Sequence, residues 1–205
     1  MDIIFATGNQ HKMHEIRMIL DGLTIDGEAV SIFSMKDKGI DVDIVEDGES
    51  FAENAAIKAR AVAALVKDAI VMADDSGLEV DYINKEPGIY SARYLGEDTS
   101  YHIKNKNIIE RLKDAEGEER SARFVCAIVT ILPDGTELEA VESMEGRIGY
   151  EERGQNGFGY DPIFMVPPYS ESSAELSEEG KNAISHRGKA LRTTRKLLLE
   201  YLGQN

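Results

Sequence analysis

SARFVCAIVTILPDGTELEAVESMEGRIGY, Ser121 to Tyr150, consists of two long strand-like runs separated by Pro133, Asp134 and Gly135. Proline presets φ, aspartate hydrogen-bonds its own backbone and glycine accepts positive φ, so the triplet predicts a hairpin or a longer reversal. Part of the sheet is therefore expected to be antiparallel. Towards the N-terminus, DIIFA reads as a buried strand ended by TGN, and HKMHEIRMILDG carries Met13, Ile16, Ile19 and Leu20 at helical spacing up to Gly22. LTIDGEAVSIF and IDVDIV read as short strands, and SFAENAAIKARAVAALVKD opens with Ser50 and Glu53 at the spacing of a capping box, predicting a long helix. AIVMA and LEVDYI read as strands on either side of DDSG, whose residue types favour a turn. TSYHIKNKNIIERLKDA reads as a helix with Ile103, Ile108 (or Asn107) and Leu112 on one side. Beyond the glycine-rich GQNGFGYDPIF, SEEGKNAISHRGKALRTTRKLLLEYLG predicts helical residues ending at Leu202, with Gly203 as the stop. Without repeats, linkers or low-complexity tracts, the expectation is one α/β domain over residues 1–205. It has a mixed, partly antiparallel sheet with helices on its faces, elongated into two lobes around a central cleft.

With 205 residues, 42% of them hydrophobic, the chain is long enough to bury a full core. The formal net charge of -15 argues against a sequence-independent grip on nucleic acid or an anionic membrane, since both need a basic surface. A small anion is compatible with that charge only where local cations or a metal offset it. The single cysteine, Cys126, excludes an intramolecular disulfide and a multi-cysteine zinc site, and its apolar neighbours in RFVCAIVTIL mark it as a buried hydrophobe. MDIIFATGNQH has no basic leader and no later run approaches membrane-spanning length, so the expected location is the cytoplasm.

Candidate chemistry clusters in a few places. TGNQHK follows the first strand and opens a helix, where backbone N–H groups and the helix dipole favour an anion, with Thr7, Asn9 and Lys12 placed to assist. The same residues also suit a plain helix cap with a solvated lysine. Neither this loop nor GQNGFG has the order of a Walker or dinucleotide-binding loop. Phe51, Ala55, Lys58, Val62 and Leu65 share one helix face, which places Lys58 in an apolar stripe. It either snorkels to water or meets phosphate oxygens, and Lys58→Met is expected to keep or raise stability while weakening the binding of such an anion. Asp74 and Asp75 repel one another, a repulsion that a hard cation such as Mg²⁺ relieves, and strand alternation sends them to opposite faces. Glu46 and Asp47 form a second acidic cluster able to share that cation, although in so acidic a chain most such pairs are solvated surface. GFGYDPIF offers aromatics and Asp161 to a flat base or, alternatively, a tight turn with core aromatics, and KNAISHRGKA gathers Lys181, Ser185, His186 and Arg187. His11 and His14 lack a third ligand and are read as solvated.

Taken together, TGNQHKMHE, EDGESFAENAAIKA, ADDSGLEVD, PGIYSARY, GFGYDPIF and SHRGKA resemble the inosine/xanthosine triphosphate pyrophosphatase family over nearly the whole chain. The departure is Gly180 before Lys181, where a stronger helix former is expected. The resemblance implies Mg²⁺-dependent hydrolysis of ITP, dITP or XTP to the monophosphate and pyrophosphate, and a homodimer. Carried over by position, it implies triphosphate binding by Thr7, Gly8, Asn9, Lys12 and Lys58, and Mg²⁺ held by Glu46 and Asp75. It further implies Asp75 as the base for water, Asp74 as an auxiliary acid and Ser76 as a substrate contact. Phe158, Gly159, Tyr160, Asp161, Lys181, His186 and Arg187 would form the nucleoside pocket. The rival expectations are a nucleotide-binding regulatory module without hydrolysis and a related pyrophosphatase for modified pyrimidine nucleotides.

Overall fold

The computed structural model describes residues 1–204. The strands are β1 (Asp2–Phe5), β2 (Thr24–Ile25), β3 (Glu28–Ala29), β4 (Ser31–Ser34), β5 (Ala69–Val80), β6 (Ser121–Ile131), β7 (Glu137–Ile148), β8 (Phe164–Val166) and β9 (Glu171–Ser172). The helices are α1 (Gln10–Ile19), α2 (Phe51–Ala63), α3 (Tyr101–Arg111), α4 (Glu178–Ile184) and α5 (His186–Tyr201). One seven-stranded sheet runs in the order β4-β1-β5-β6-β7-β8-β9, and β2 and β3 form a separate ribbon. β1 pairs parallel with β4 and β5, whereas β8 pairs antiparallel with β7 and β9, so the sheet is mixed as expected. None of the helices among the described residues is long and apolar enough to cross a membrane.

The chain forms two compact units. The first comprises Met1–Asp75, Cys126–Glu142 and the chain from Arg187 on. Its core gathers Ile3 and Phe5 of β1, Met13, Ile16 and Leu20 from α1 and its C-cap, Ile70 and Met72 of β5, and Leu191 and Leu198 of α5. Cys126 is fully buried there, and burial pushes its thiol up to about 12. The turn at Pro133 to Gly135 is a tight reversal between β6 and β7, closed by Leu132 N–H donating to Thr136 O at 2.9 Å. α5 ends as expected near Gly203, which takes φ +69° while Gln204 N–H reaches back to Leu199 O.

The second unit comprises Ser76–Val125 and Ser143–His186, with Leu78, Val80, Ile108, Leu112, Phe124, Ile148, Ile163 and Phe164 in its core. Arg120, 2% exposed, donates to the carbonyls of Leu112, Ala115, Ile148 and Gly149 and so ties the end of α3 to the end of β7. On β7, a Cβ at Gly146 would lie 2.5 Å from the Phe164 ring and 2.6 Å from the Met165 carbonyl. Gly146→Ala is therefore expected to cost about 2 kcal/mol, because ring and backbone must both shift, as read by urea denaturation.

Several local expectations are corrected. LTIDGEAVSIF holds three short strands, because Asp26 and Gly27 both take positive φ in the turn between β2 and β3. Residues 40–45 alternate in exposure yet join no sheet ladder. α2 stops at Ala63, leaving Leu65 exposed, and Ile103 is exposed on α3. AIVMA and LEVDYI are not separated by a turn: Asp74 to Gly77 lie inside β5. The predicted C-terminal helix is broken at Ser185, whose ψ of 152° separates α4 from α5. Within α4, Gly180 N–H donates to the Ser177 Oγ cap, and a Cβ there would sit 3.2 Å from that oxygen. Nothing in the structure requires glycine there, since Glu53 occupies the equivalent place behind the Ser50 cap of α2.

Candidate active site

In the first unit the loop after β1 leads directly into α1. Asn9 has extended backbone, and its side-chain oxygen accepts from the backbone N–H groups of His11 (3.0 Å) and Lys12 (3.2 Å). Thr7 Oγ1 accepts from Asn9 N–H at 3.2 Å, and nothing lies within 4 Å of the position a Cβ would take at Gly8. The loop is thus shaped by its own cap, as turn chemistry predicts, and remains open over Gly8. The first turn of α1 carries no acid that would oppose an anion.

Within the first turn of α1, Lys12 Nζ lies 3.0 Å from Asp74 Oδ2. Alternation along β5 separates the two acids: the Asp74 side chain is 1% exposed and that of Asp75 is 13% exposed. Arg187 closes on Asp74 with Nε at 3.4 Å, while its Nη1 bonds to buried Glu15. Burial alone would raise the Asp74 pKa, but Lys12, Arg187 and Lys58 outweigh it and hold the carboxyl well below the usual range. Asp74 Oδ1, although buried, has no hydrogen-bond partner among the described residues. Arg187, placed with the nucleoside pocket by resemblance, belongs here to the acid–lysine cluster of the first unit.

Lys58 lies on the same face of α2 as Phe51, Ala55 and Val62, as expected, while Leu65 lies beyond the helix and is exposed, and the ammonium does not snorkel to water but meets carboxylates. The buried positions of α2 are Phe51, Asn54, Ala55, Ala59 and Val62, and Lys58 lies beside them with its ammonium 2.6 Å from Glu46 Oε2 and 3.6 Å from Asp75 Oδ1. Burial pulls the lysine pKa down, yet Asp75, Asp74 and Glu46 together leave it raised. For Asp75 the balance runs the other way: burial raises its pKa and the attraction of Lys58 and Lys12 does not fully reverse it. Two carboxylates from distant segments thus converge on one cation. Their oxygens are the hard donors that a divalent cation such as Mg²⁺ takes, so the donor set fits such an ion. No group of three or more His, Cys, Asp or Glu residues is arranged for a metal among the described residues.

In the second unit GFGYDPIF is organised around Asp161, which is 3% exposed. Its Oδ2 accepts from Phe158 N–H (2.9 Å) and Lys181 Nζ (2.7 Å), and its Oδ1 from Ser173 Oγ (2.9 Å). Gly157 takes φ +73°, and a Cβ there would lie 2.2 Å from Asp161 Oδ2, so only glycine lets this carboxylate close the loop. Lys181 Nζ also lies 5.2 Å from the centroid of the Phe158 ring. Tyr160, by contrast, is a core residue: its hydroxyl donates to Ser91 O at 2.7 Å and its ring meets Tyr101 edge-on at 5.2 Å. His186 stacks on Phe124 at 4.9 Å with planes 15° apart. Gly159 takes φ +70° facing Tyr101, and Ser76 is half-buried on β5.

Two residues escaped the sequence reading. Glu15 is buried beside Met13 and Ile16 on α1, and Asn54 is 1% exposed inside α2. The signal for Asn54 was present, since asparagine is a poor interior helix former and needs a reason to be there. A charged residue flanked by apolar helix positions, as Glu15 is, reads in sequence simply as the solvated side of the helix.

Comparison with known proteins places the chain. The dITP/XTP pyrophosphatase of Clostridium perfringens is 45% identical over 193 residues, covering 92% of either chain. That of Exiguobacterium sibiricum is 43% identical and covers both chains completely. Among solved structures, the Staphylococcus aureus Ham1 protein superposes with a TM-score of 0.84 at 36% identity, covering 98% of this chain and 100% of its own. A HAM1 protein from Coxiella burnetii gives the same TM-score at 37% identity, covering 98% of this chain and 99% of its own. The Ham1 family model matches residues 3–197, nearly the whole length, and this chain belongs to the Ham1 family.

Proposed function

We propose that this protein is a nucleoside triphosphate pyrophosphatase that hydrolyses deaminated purine nucleotides, ITP, dITP or XTP, to the monophosphate and pyrophosphate; its curated relatives carry the name dITP/XTP pyrophosphatase. The observation that carries the reading is the convergence of Glu46, Asp75 and Lys58 beside Lys12 and Asp74, next to the capped start of α1. A triphosphate brings the negative charge that Lys12 and Lys58 now neutralise on carboxylates, and the open loop at Thr7, Gly8 and Asn9 offers it backbone N–H groups. Glu46 and Asp75 are the residues to hold Mg²⁺, which when bound supplies Lewis-acid polarisation and charge neutralisation at the phosphate oxygens.

Asp75 has the chemistry of the base. It takes the proton from water as the water oxygen attacks the α-phosphorus and the bond to the bridging oxygen breaks, releasing pyrophosphate. Asp74, held ionised by its cations, keeps Lys12 and Arg187 in place. Ser76, Phe158, Gly159, Lys181 and His186 make up the nucleoside side, with Asp161 and Tyr160 supporting the loop from behind. Donors aimed at the carbonyl at purine position 6 reject adenine, whose amino group there leaves them unpaired. The whole of residues 1–205 acts as one catalytic domain in this reading, in a cytoplasmic homodimer whose mass is checked by analytical ultracentrifugation.

A panel of nucleoside triphosphates with and without Mg²⁺, scoring pyrophosphate against orthophosphate, tests the proposal. Release of pyrophosphate from ITP, dITP or XTP supports it, and preference for ATP sinks it. Binding of ITP without turnover would instead identify a regulatory module, and a preference for modified pyrimidine nucleotides would identify the related pyrophosphatase.

A further inference from the structure

We infer that Asn54 is the positioning residue that sets the two metal-holding carboxylates against one another, an inference that rests on the metal reading above. Asn54 lies one turn into α2, 1% exposed, at a position where asparagine costs helix stability relative to alanine. Both ends of its amide are used. Oδ1 accepts from Gly48 N–H at 2.9 Å, and Nδ2 donates to Asp75 Oδ2 at 3.3 Å. A backbone N–H on one side and a carboxylate on the other admit only this orientation of the amide, since the flipped form would set donor against donor and acceptor against acceptor.

The consequence is geometric. Gly48 is two residues beyond Glu46, so one side chain anchors the acidic loop and the strand acid at the same time. By holding Asp75 Oδ2, Asn54 leaves Oδ1 as the oxygen facing Lys58, the ammonium that Glu46 also binds. Gly48 lets the loop close: a Cβ there would lie 2.8 Å from Asn54 Oδ1, 2.8 Å from Glu53 Cβ and 3.0 Å from Asn54 N. A second bond, from Glu49 N–H to Glu53 Oε2 at 2.6 Å, staples the same loop to α2 without reaching Asp75. Glu53 is therefore the internal control for loop anchoring alone. Partners behind metal ligands typically govern metal affinity by ~10- to 100-fold when removed.

The test measures the Mg²⁺ concentration for half-maximal pyrophosphate release together with the rise in melting temperature that Mg²⁺ alone produces in nucleotide-free protein. In Asn54→Ala the half-maximal Mg²⁺ concentration is expected to rise about tenfold or more, with kcat at saturating Mg²⁺ within about threefold of wild type. The Mg²⁺-induced rise in melting temperature should move to higher Mg²⁺ by the same factor. Glu53→Ala should leave both readouts within about twofold. If Asn54→Ala does not fold, Gly48→Ala, which displaces the loop from the amide, carries the same expectation. A normal Mg²⁺ response in the folded variant, or an equal shift in Glu53→Ala, overturns the inference while the pyrophosphatase reading stands. A wild-type protein whose turnover and melting temperature ignore Mg²⁺ overturns the metal reading and this inference with it.

Discussion

Asp75→Asn is expected to lower pyrophosphate release by about 10³-fold or more while leaving the protein folded, the loss combining a general base with a metal-holding oxygen. Stability should not fall with activity. Burial holds the Asp75 pKa above its unfolded value of 3.8, so its contribution to stability is fully present below that value and is lost as pH rises through the folded pKa. At neutral pH the ionised carboxylate therefore burdens the native state, and the isosteric amide relieves it. The melting temperature of the variant should equal or exceed that of the wild type at pH 7, and the difference should shrink as pH falls towards 3.8. Near-wild-type turnover would remove Asp75 from the role of base. A lowered melting temperature at pH 7 would show that its pairing with Lys58 outweighs its desolvation.

Lys58→Met has the second large effect, and the structure reverses the direction expected from sequence. The Lys58 ammonium lies against Glu46 and Asp75, and Asp74 contributes to its charge environment. Methionine would leave these carboxylates to repel one another in a largely buried site. The expected cost at neutral pH is about 2 kcal/mol, below the range for a fully buried pair because Glu46 keeps 30% of its side chain in water. Triphosphate binding should weaken as well, on the order of tenfold, through loss of a phosphate-facing cation. Adding Mg²⁺ should restore more melting temperature to the variant than it gives the wild type, since the ion and the ammonium compete for the same oxygens. Calorimetric scans with and without Mg²⁺ check this, and equal responses would show that the ion does not go to those carboxylates.

Much of the fold was legible because its signals are local. The reversal at Pro133 to Gly135, the cap at Ser50 and the stop at Gly203 depend on a few adjacent residues whose backbone preferences survive in any context. Where prediction failed, a non-local partner outweighed the local preference. Asp, Ser and Gly at 74–77 favour a turn, but Ala69 to Met72 at the start of β5 are paired to β1 and the strand continues through all four positions. Ser185 interrupts what reads as one helix, and the apolar pattern had no means of marking the break.

The candidate site divides in the same way. By itself the sequence determined which residue types were available, the capped loop at Thr7 to Asn9, the alternation that makes Asp74 and Asp75 unequal, and the family whose ordered motifs the chain shares. Only the tertiary structure decided that Lys58 is a bridge between carboxylates, that Arg187 answers Asp74 and Glu15, and that Asn54 links the acidic loop to Asp75. The physical reason is that a charge acts over the few ångströms to its partner and not along the chain. Lys58 and Glu46 are twelve residues apart and Arg187 and Asp74 one hundred and thirteen, so their pairing is written in packing and not in spacing.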